Sequence, residues 1–255
     1  MVSGGGMVVN RLGRVLKLTG QAALVLLLLA ALSGCLYPKD RMGQNERPSK
    51  ESVRLIQDAV DQYFASKGLL PIKNSGEDTP IYEKFVIDIA KLERMGYIND
   101  IPAAAFENGG SYYFLLQNEE VDPVVKLMSI TVYQQINDLQ AKVDAYREAN
   151  GGQLPAGGEA YPSFYHIDFD KLTGSKPVIR SVYSNQTMNL IIHENGTVYA
   201  DYGADIRKAV ELSGTDPDPE TDLRELLVSQ SDFVPVKSAA YYWVDGDPAA
   251  RLPGQ

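Results

Sequence analysis

Residues 53–63, VRLIQDAVDQY, and residues 136–146, INDLQAKVDAY, stand 83 positions apart and carry the same apolar spacing. Val53, Ile56, Val60 and Tyr63 fall at offsets 0, 3, 7 and 10, as do Ile136, Leu139, Val143 and Tyr146. That spacing lays one apolar stripe along a helix, to be buried against a sheet or another helix. Ser49 suits an N-cap for the first helix, and Gly68 and Gly151 end the two segments. Asp61 matches Asp144, and Leu70-Pro71 matches Leu154-Pro155 after one inserted residue. Further on, Ile87-Asp88 with Lys91-Leu92 matches Ile167-Asp168 with Lys171-Leu172. Ordered matches of this kind predict an internal duplication.

Strands follow each helix. Residues 111–116 (SYYFLL) are dense in aromatic and branched side chains, residues 117–120 turn, and residues 124–128 can pair back. Residues 188–192 and 197–202 flank Asn195-Gly196, which predicts a hairpin with a two-residue turn at positive φ. Residues 82–95 read as a strand through Ile87 and Ile89 passing into a short turn. Residues 206–212 and 222–228 read as short helices, and residues 233–236 and 239–244 as strands. Asp245-Gly246 turns the chain, and the tail beyond it is expected to fray. The fold class is therefore α+β: tandem duplicated modules, each a helix packed on a small antiparallel sheet, plus a short C-terminal extension that packs onto the second. The boundaries are module 1 at 50–128, module 2 at 129–203 and the extension at 204–255.

The N-terminal part reads differently. Arg11, Arg14 and Lys17 precede eleven apolar residues, 22–32, with no acid before Asp40. This is the order of an export signal, and the run is short of the roughly 20 residues of a membrane span. Both Met1 and Met7 can start it. Leu32-Ser33-Gly34-Cys35 resembles the lipobox of bacterial lipoproteins. The resemblance implies cleavage between Gly34 and Cys35, a lipid (palmitate among its chains) on Cys35, and a protein held on the extracytoplasmic face of the cell membrane. Residues 1–34 are then a signal peptide and 35–49, with Pro38, Gly43 and Pro48, a flexible tether. The chain left after cleavage has 21 Lys plus Arg against 33 Asp plus Glu, a net charge of −12. Such a surface is repelled by phosphate backbones, so no nucleic acid is expected. Membrane contact is assigned to the lipid on Cys35, since two or three acyl chains hold stably where one does not. Cys35 is the one cysteine, so stability rests on an apolar core rather than a disulfide.

A second resemblance covers about 60 residues. Tyr63, Gly68 and Pro71, then Leu92, Gly96-Tyr97-Ile98, Ile101-Pro102 and Phe106 before an aromatic strand, are similar to the globular heads of type II secretion pseudopilins. It implies a helix-on-sheet module; the chain lacks the pilin-type N-terminal helix, so it does not imply pilus assembly. The whole chain also resembles uncharacterised lipoproteins of spore-forming bacteria, which implies no activity.

Candidates for chemistry are few. His166 and His193 stand in no metal-ligand spacing. Asp88 and Asp168 occupy matching places and read as turn caps, with a carboxylate pair for acid–base work as the sharper reading. Asp216, Asp218, Glu220 and Asp222 lack the glycine turn and terminal glutamate of a calcium loop and read as a solvated linker around Pro217 and Pro219. There is no GxSxG, SxxK or phosphate-cradling glycine motif. Tyr112, Tyr113 and Phe114, and Tyr241, Tyr242 and Trp243, form a candidate binding face for an envelope protein or wall glycan. No catalytic residue, metal or cofactor is assigned. The reading is a non-enzymatic binding or structural module of the cell envelope; the alternatives are a solute-binding lipoprotein of a transporter and a cell-wall-acting enzyme.

Overall fold

The computed structural model describes residues 50–214 and 217–252. Residues 47–255 form one compact unit. Gly34, Cys35 and the rest of the signal and tether lie outside the described residues.

The fold is mixed α+β, with helices packed on small antiparallel sheets. The first helix, α1 (Lys50–Lys67), buries Ile56, Ala59, Val60 and Tyr63. Gly68, at φ 66°, stops it, a left-handed conformation that glycine adopts without steric cost. A short helix α2 (Ile89–Arg94) follows, and then the hairpin of β1 (Tyr112–Gln117) and β2 (Val124–Ser129). Ser129 caps the second long helix, α3 (Ile130–Ala149), its hydroxyl accepting from Val132 N. A four-stranded antiparallel sheet then runs in order from β3 (Ala156–Tyr161) through β4 (Phe164–Ile167) and β5 (Leu190–His193) to β6 (Val198–Ala200). Helices α4 (Gly203–Ser213) and α5 (Arg224–Gln230) and the hairpin of β7 (Ala240–Val244) and β8 (Asp247–Arg251) complete it.

Strand pairing runs in the same order in the two halves. Single bridges join Ile72 to Ile87 and Val86 to Leu115. With β1 and β2 they give the pairing order that β3, β4, β5 and β6 give in the second half. Asp88 N donates to Pro71 O at 2.8 Å, and Asp168 N to Pro155 O at 2.8 Å. Tyr146, at the last offset of the second stripe, is only partly buried, whereas Tyr63 is buried.

Two apolar cores result. One lies between α1 and one face of β1 and β2: Ile56, Val60, Tyr63, Phe114, Leu116, Val125 and Leu127. The other joins α3, the second sheet and the C-terminal elements, and it also takes in Tyr82, Leu115 and Met128 from the first half. The hairpin β1–β2 is thus buried on both faces, a shared wall rather than a half-exposed sheet. That explains the unbroken apolar run FLL, since two-sided burial removes alternation. Burying Leu115 completely stabilises by about 1.5–3 kcal/mol over leaving it exposed.

Several expectations need correction. Ile89 opens α2, because Asp88 caps that helix by accepting from Lys91 N at 3.0 Å; only Val86 and Ile87 pair as strand. The Asn195-Gly196 turn is a three-residue loop with only Gly196 at positive φ. His193 N donates to Thr197 O and Gly196 N to His193 O, the pattern of a type I turn closed by a glycine bulge. The tail does not fray before Arg251: Asp245 and Gly246, both at positive φ, return it as β8. Residues 233–236 form no strand of a sheet. They are a strap, with Leu127 N donating to Asp232 O, Val234 N to Leu127 O, and Ala200 N to Lys237 O. The extension therefore ties the last strand of both halves, not of the second alone.

Candidate functional site

The six aromatic residues do not make one face. Tyr112, Phe114 and Tyr241 are buried in the cores, and Tyr113, Tyr242 and Trp243 are half-buried. Tyr113 stacks on Phe106 at 4.9 Å between ring centres, with the Lys73 ammonium over its ring. Tyr242 carries the Arg251 guanidinium. Strand alternation holds for these residues, but both sides of β1, and one of β7, meet protein.

The paired aspartates are structural. Asp168 Oδ1 accepts from Asp170 N at 3.2 Å and its other oxygen meets Lys171 Nζ at 3.1 Å, while Asp88 holds α2 as described. His166 is exposed on β4. His193 is buried, its Nδ1 accepting from Asn195 N and its ring against Phe164 at 4.8 Å. In the acidic linker, Asp216 lies outside the described residues, Asp218 caps Glu220 N, and Asp222 grips Arg224 at 2.6 Å.

Two polar devices that the apolar pattern did not announce hold the hairpins in place. Gln57 Oε1 accepts from Val125 N at 2.7 Å, and its Nε2 donates to Pro123 O and Asp61 Oδ1. Gln140 repeats this with Val198 N at 2.7 Å, Gly196 O and Asp144 Oδ1. Both glutamines stand four residues before a matched aspartate, so the repeat itself carried the signal. The second device is Asp201, which accepts from Tyr241 Oη at 2.8 Å, Gly203 N at 2.9 Å and Tyr161 Oη at 3.0 Å. It locks β3, β7 and the start of α4 together. Burial, reinforced by the Asp201 charge, pushes the Tyr161 and Tyr241 hydroxyls above the usual tyrosine range. A side chain at Gly203 would collide with the Tyr161 hydroxyl, so the close approach requires glycine.

Two cavities lie where the halves and the extension meet. One, of about 420 Å³, is lined by Tyr82, Glu83, Gln140, Tyr199, Arg224 and Lys237 among others. Its cations pair within the protein, Lys237 with Glu83 at 3.2 Å and Arg224 with Asp222, and Asp144 on its wall accepts from Gln140. Arg224 also covers the Tyr82 ring and donates to Ser238 O.

The other, of about 480 Å³, is a groove lined by Leu127 of β2, Tyr183 of the loop before β5, Asp205, Ala209 and Leu212 of α4, Leu227 of α5, and Phe233 of the strap. Its size falls within that of small-molecule sites. Lys126, beside Leu127, fixes the α5 side: its Nζ donates to Val228 O at 2.7 Å and Ser231 O at 2.6 Å, the carbonyls at the end of α5. That is the position where a helix end favours a cation, and burial holds the Lys126 pKa below its usual value. Tyr183 bridges to the strap by donating to Phe233 O at 3.3 Å, its ring edge-on to Tyr202 at 5.8 Å.

Asp205 stands in the groove in the first turn of α4 and is 7% exposed. No hydrogen bond or ion pair to its carboxylate occurs among the described residues. Its carboxylate oxygens keep contact with the water of the groove. An acid near a helix start is ordinary in a sequence, so nothing there announced this one.

Residues 49–129, about a third of the chain, match the family model of the YphF family N-terminal domain. No curated protein matches the chain, and no solved structure does. No helix among the described residues is long and apolar enough to cross a membrane.

Proposed function

We propose that the chain is a lipid-anchored, extracytoplasmic module that binds a ligand in the groove lined by Asp205, rather than an enzyme. The address rests on Arg11, Arg14 and Lys17, the apolar run and Leu32-Ser33-Gly34-Cys35. The observation that carries the binding role is the groove, since it is built by three separate parts of the chain and holds a carboxylate that pairs with no cation of the protein and faces the water of the groove. The body is two uses of one helix-on-sheet unit, with the strap as the third part. The matching strand order and the matching Gln57–Asp61 and Gln140–Asp144 clamps support that duplication.

A receptor for a transported solute draws on the same groove. Its usual lobes are parallel βα units, whereas every sheet here is antiparallel. A membrane-tethered binding module therefore fits better. Fractionation of cells carrying the wild type and Cys35→Ala tests the address. The wild type is expected in the membrane fraction, acylated and beginning at Cys35. The variant is expected uncut and without acyl label. An unacylated wild type in the cytosol would overturn the proposal.

A further inference from the structure

We infer that the groove selects a small organic cation, an ammonium group carried on a short apolar stem. The inference deepens the binding role proposed above and rests on it.

Asp205 presents an anion in the groove: most of the residue is packed away, while its carboxylate oxygens stay open to the cavity. Its own positive neighbours do not neutralise it. Lys208, one turn further along α4, and Lys50 at the start of α1 both line the cavity and form no ion pair with it. The N-terminal end of α4 favours an acid in this turn, so the fold tolerates the charge without supplying a counter-ion. The remaining walls offer apolar contact from Leu127, Leu227 and Phe233, and Leu212 stands 74% exposed at α4's outer side of the groove. An ammonium has three donors and no acceptor. Its charge-assisted hydrogen bond to a carboxylate is stronger than a neutral pair, and the stem lies against the apolar walls. A neutral alcohol of the same shape lacks the charge, and an anion drawn to Lys50 or Lys208 would meet Asp205 and Asp232 with like sign.

The test is titration of the full-length protein in detergent with n-hexylammonium, hexan-1-ol and hexanoate, followed by the backbone amide NMR shifts of Ala209 and Phe233. Hexylammonium is expected to shift both amides saturably, hexan-1-ol at least tenfold more weakly, and hexanoate not at all. Asp205→Asn is expected to weaken hexylammonium at least tenfold with unchanged amide dispersion. Leu212→Lys, an exposed change that leaves the core intact, adds a cation at the groove and is expected to weaken it several-fold. Equal affinity for the alcohol, or unchanged affinity in Asp205→Asn, would overturn the inference. Saturable binding of hexanoate alone would overturn the amine and leave the groove as a binding site. Shifts with none of the three probes would overturn the amine, while the Cys35→Ala fractionation would judge the anchored module separately.

Discussion

Replacing Gln140 by Leu removes the side chain that ties α3 to the hairpin β5–β6 while keeping its bulk. Val198 is buried, and its N–H donates to Gln140 Oε1 at 2.7 Å. The substitution strands that donor, which costs about 1–3 kcal/mol. Of the two bonds from Nε2, the one to Asp144 Oδ1 ends on an exposed group and its loss adds about 0.5 kcal/mol or less, while the one to Gly196 O ends on a buried residue and its loss adds about 0.5–1 kcal/mol. The expected destabilisation is about 2–3 kcal/mol. In a domain of this size, 1 kcal/mol moves Tm by about 2–4 °C, so a fall of about 4–12 °C is expected. Gln57→Leu strands Val125 N–H in the same way and should cost the same. The sites share no partner, so the double variant should be additive to within about 0.5 kcal/mol. Gln140→Glu keeps the acceptor for Val198 but sets a second carboxylate beside Asp144, and should fall between wild type and Gln140→Leu. Urea unfolding at constant m measures all four. A loss below about 0.5 kcal/mol in either leucine variant would refute the claim that these glutamines hold the hairpins.

Three further predictions follow from the Asp201 lock and the buried tyrosines. Tyr161→Phe removes one of three donors to Asp201 and should lower stability by about 0.5–1.5 kcal/mol in the same assay. Gly203→Ala drives a methyl into the Tyr161 hydroxyl and breaks that bond as well as crowding it; it should cost more than Tyr161→Phe, about 1–3 kcal/mol. Burial raises the Tyr82, Tyr161, Tyr183, Tyr202 and Tyr241 pKa values above that of the unfolded chain, and Tyr199 rises as well. Above pH of about 10 the unfolded chain loses protons that the folded one keeps. Their contribution to stability is therefore complete below that pH and falls as pH rises above it. Absorbance at 295 nm should show at least the first five of these tyrosines titrating only as the protein unfolds; smooth titration of all tyrosines in the folded state would contradict this.

The sequence by itself determined the two long helices, where they stop and the class of fold. These are local matters: offsets of 0, 3, 7 and 10 place one stripe on one helix face, and Gly68 and Gly151 adopt positive φ wherever the chain goes. The same periodic reading reached the hairpin at 188–202, though not its loop, because the choice between two and three residues depends on how His193 and Thr197 bond across it. It also reached the cap at Asp88. It missed β3, since Ala156–Tyr161 (AGGEAY) has little strand propensity of its own and is a strand only because β4 lies beside it. Tertiary structure alone decided which aromatic side chains are inside. Tyr112, Phe114 and Tyr241 read as surface or core with equal ease until both faces of β1 are seen covered. It alone decided the strap's role and the groove, since Leu127, Asp205 and Phe233 are separated by 78 and 28 residues and share a wall only after folding. An aspartate near a helix start is unremarkable in sequence. It becomes a candidate site only when packing sets it on the wall of a groove and supplies no counter-ion.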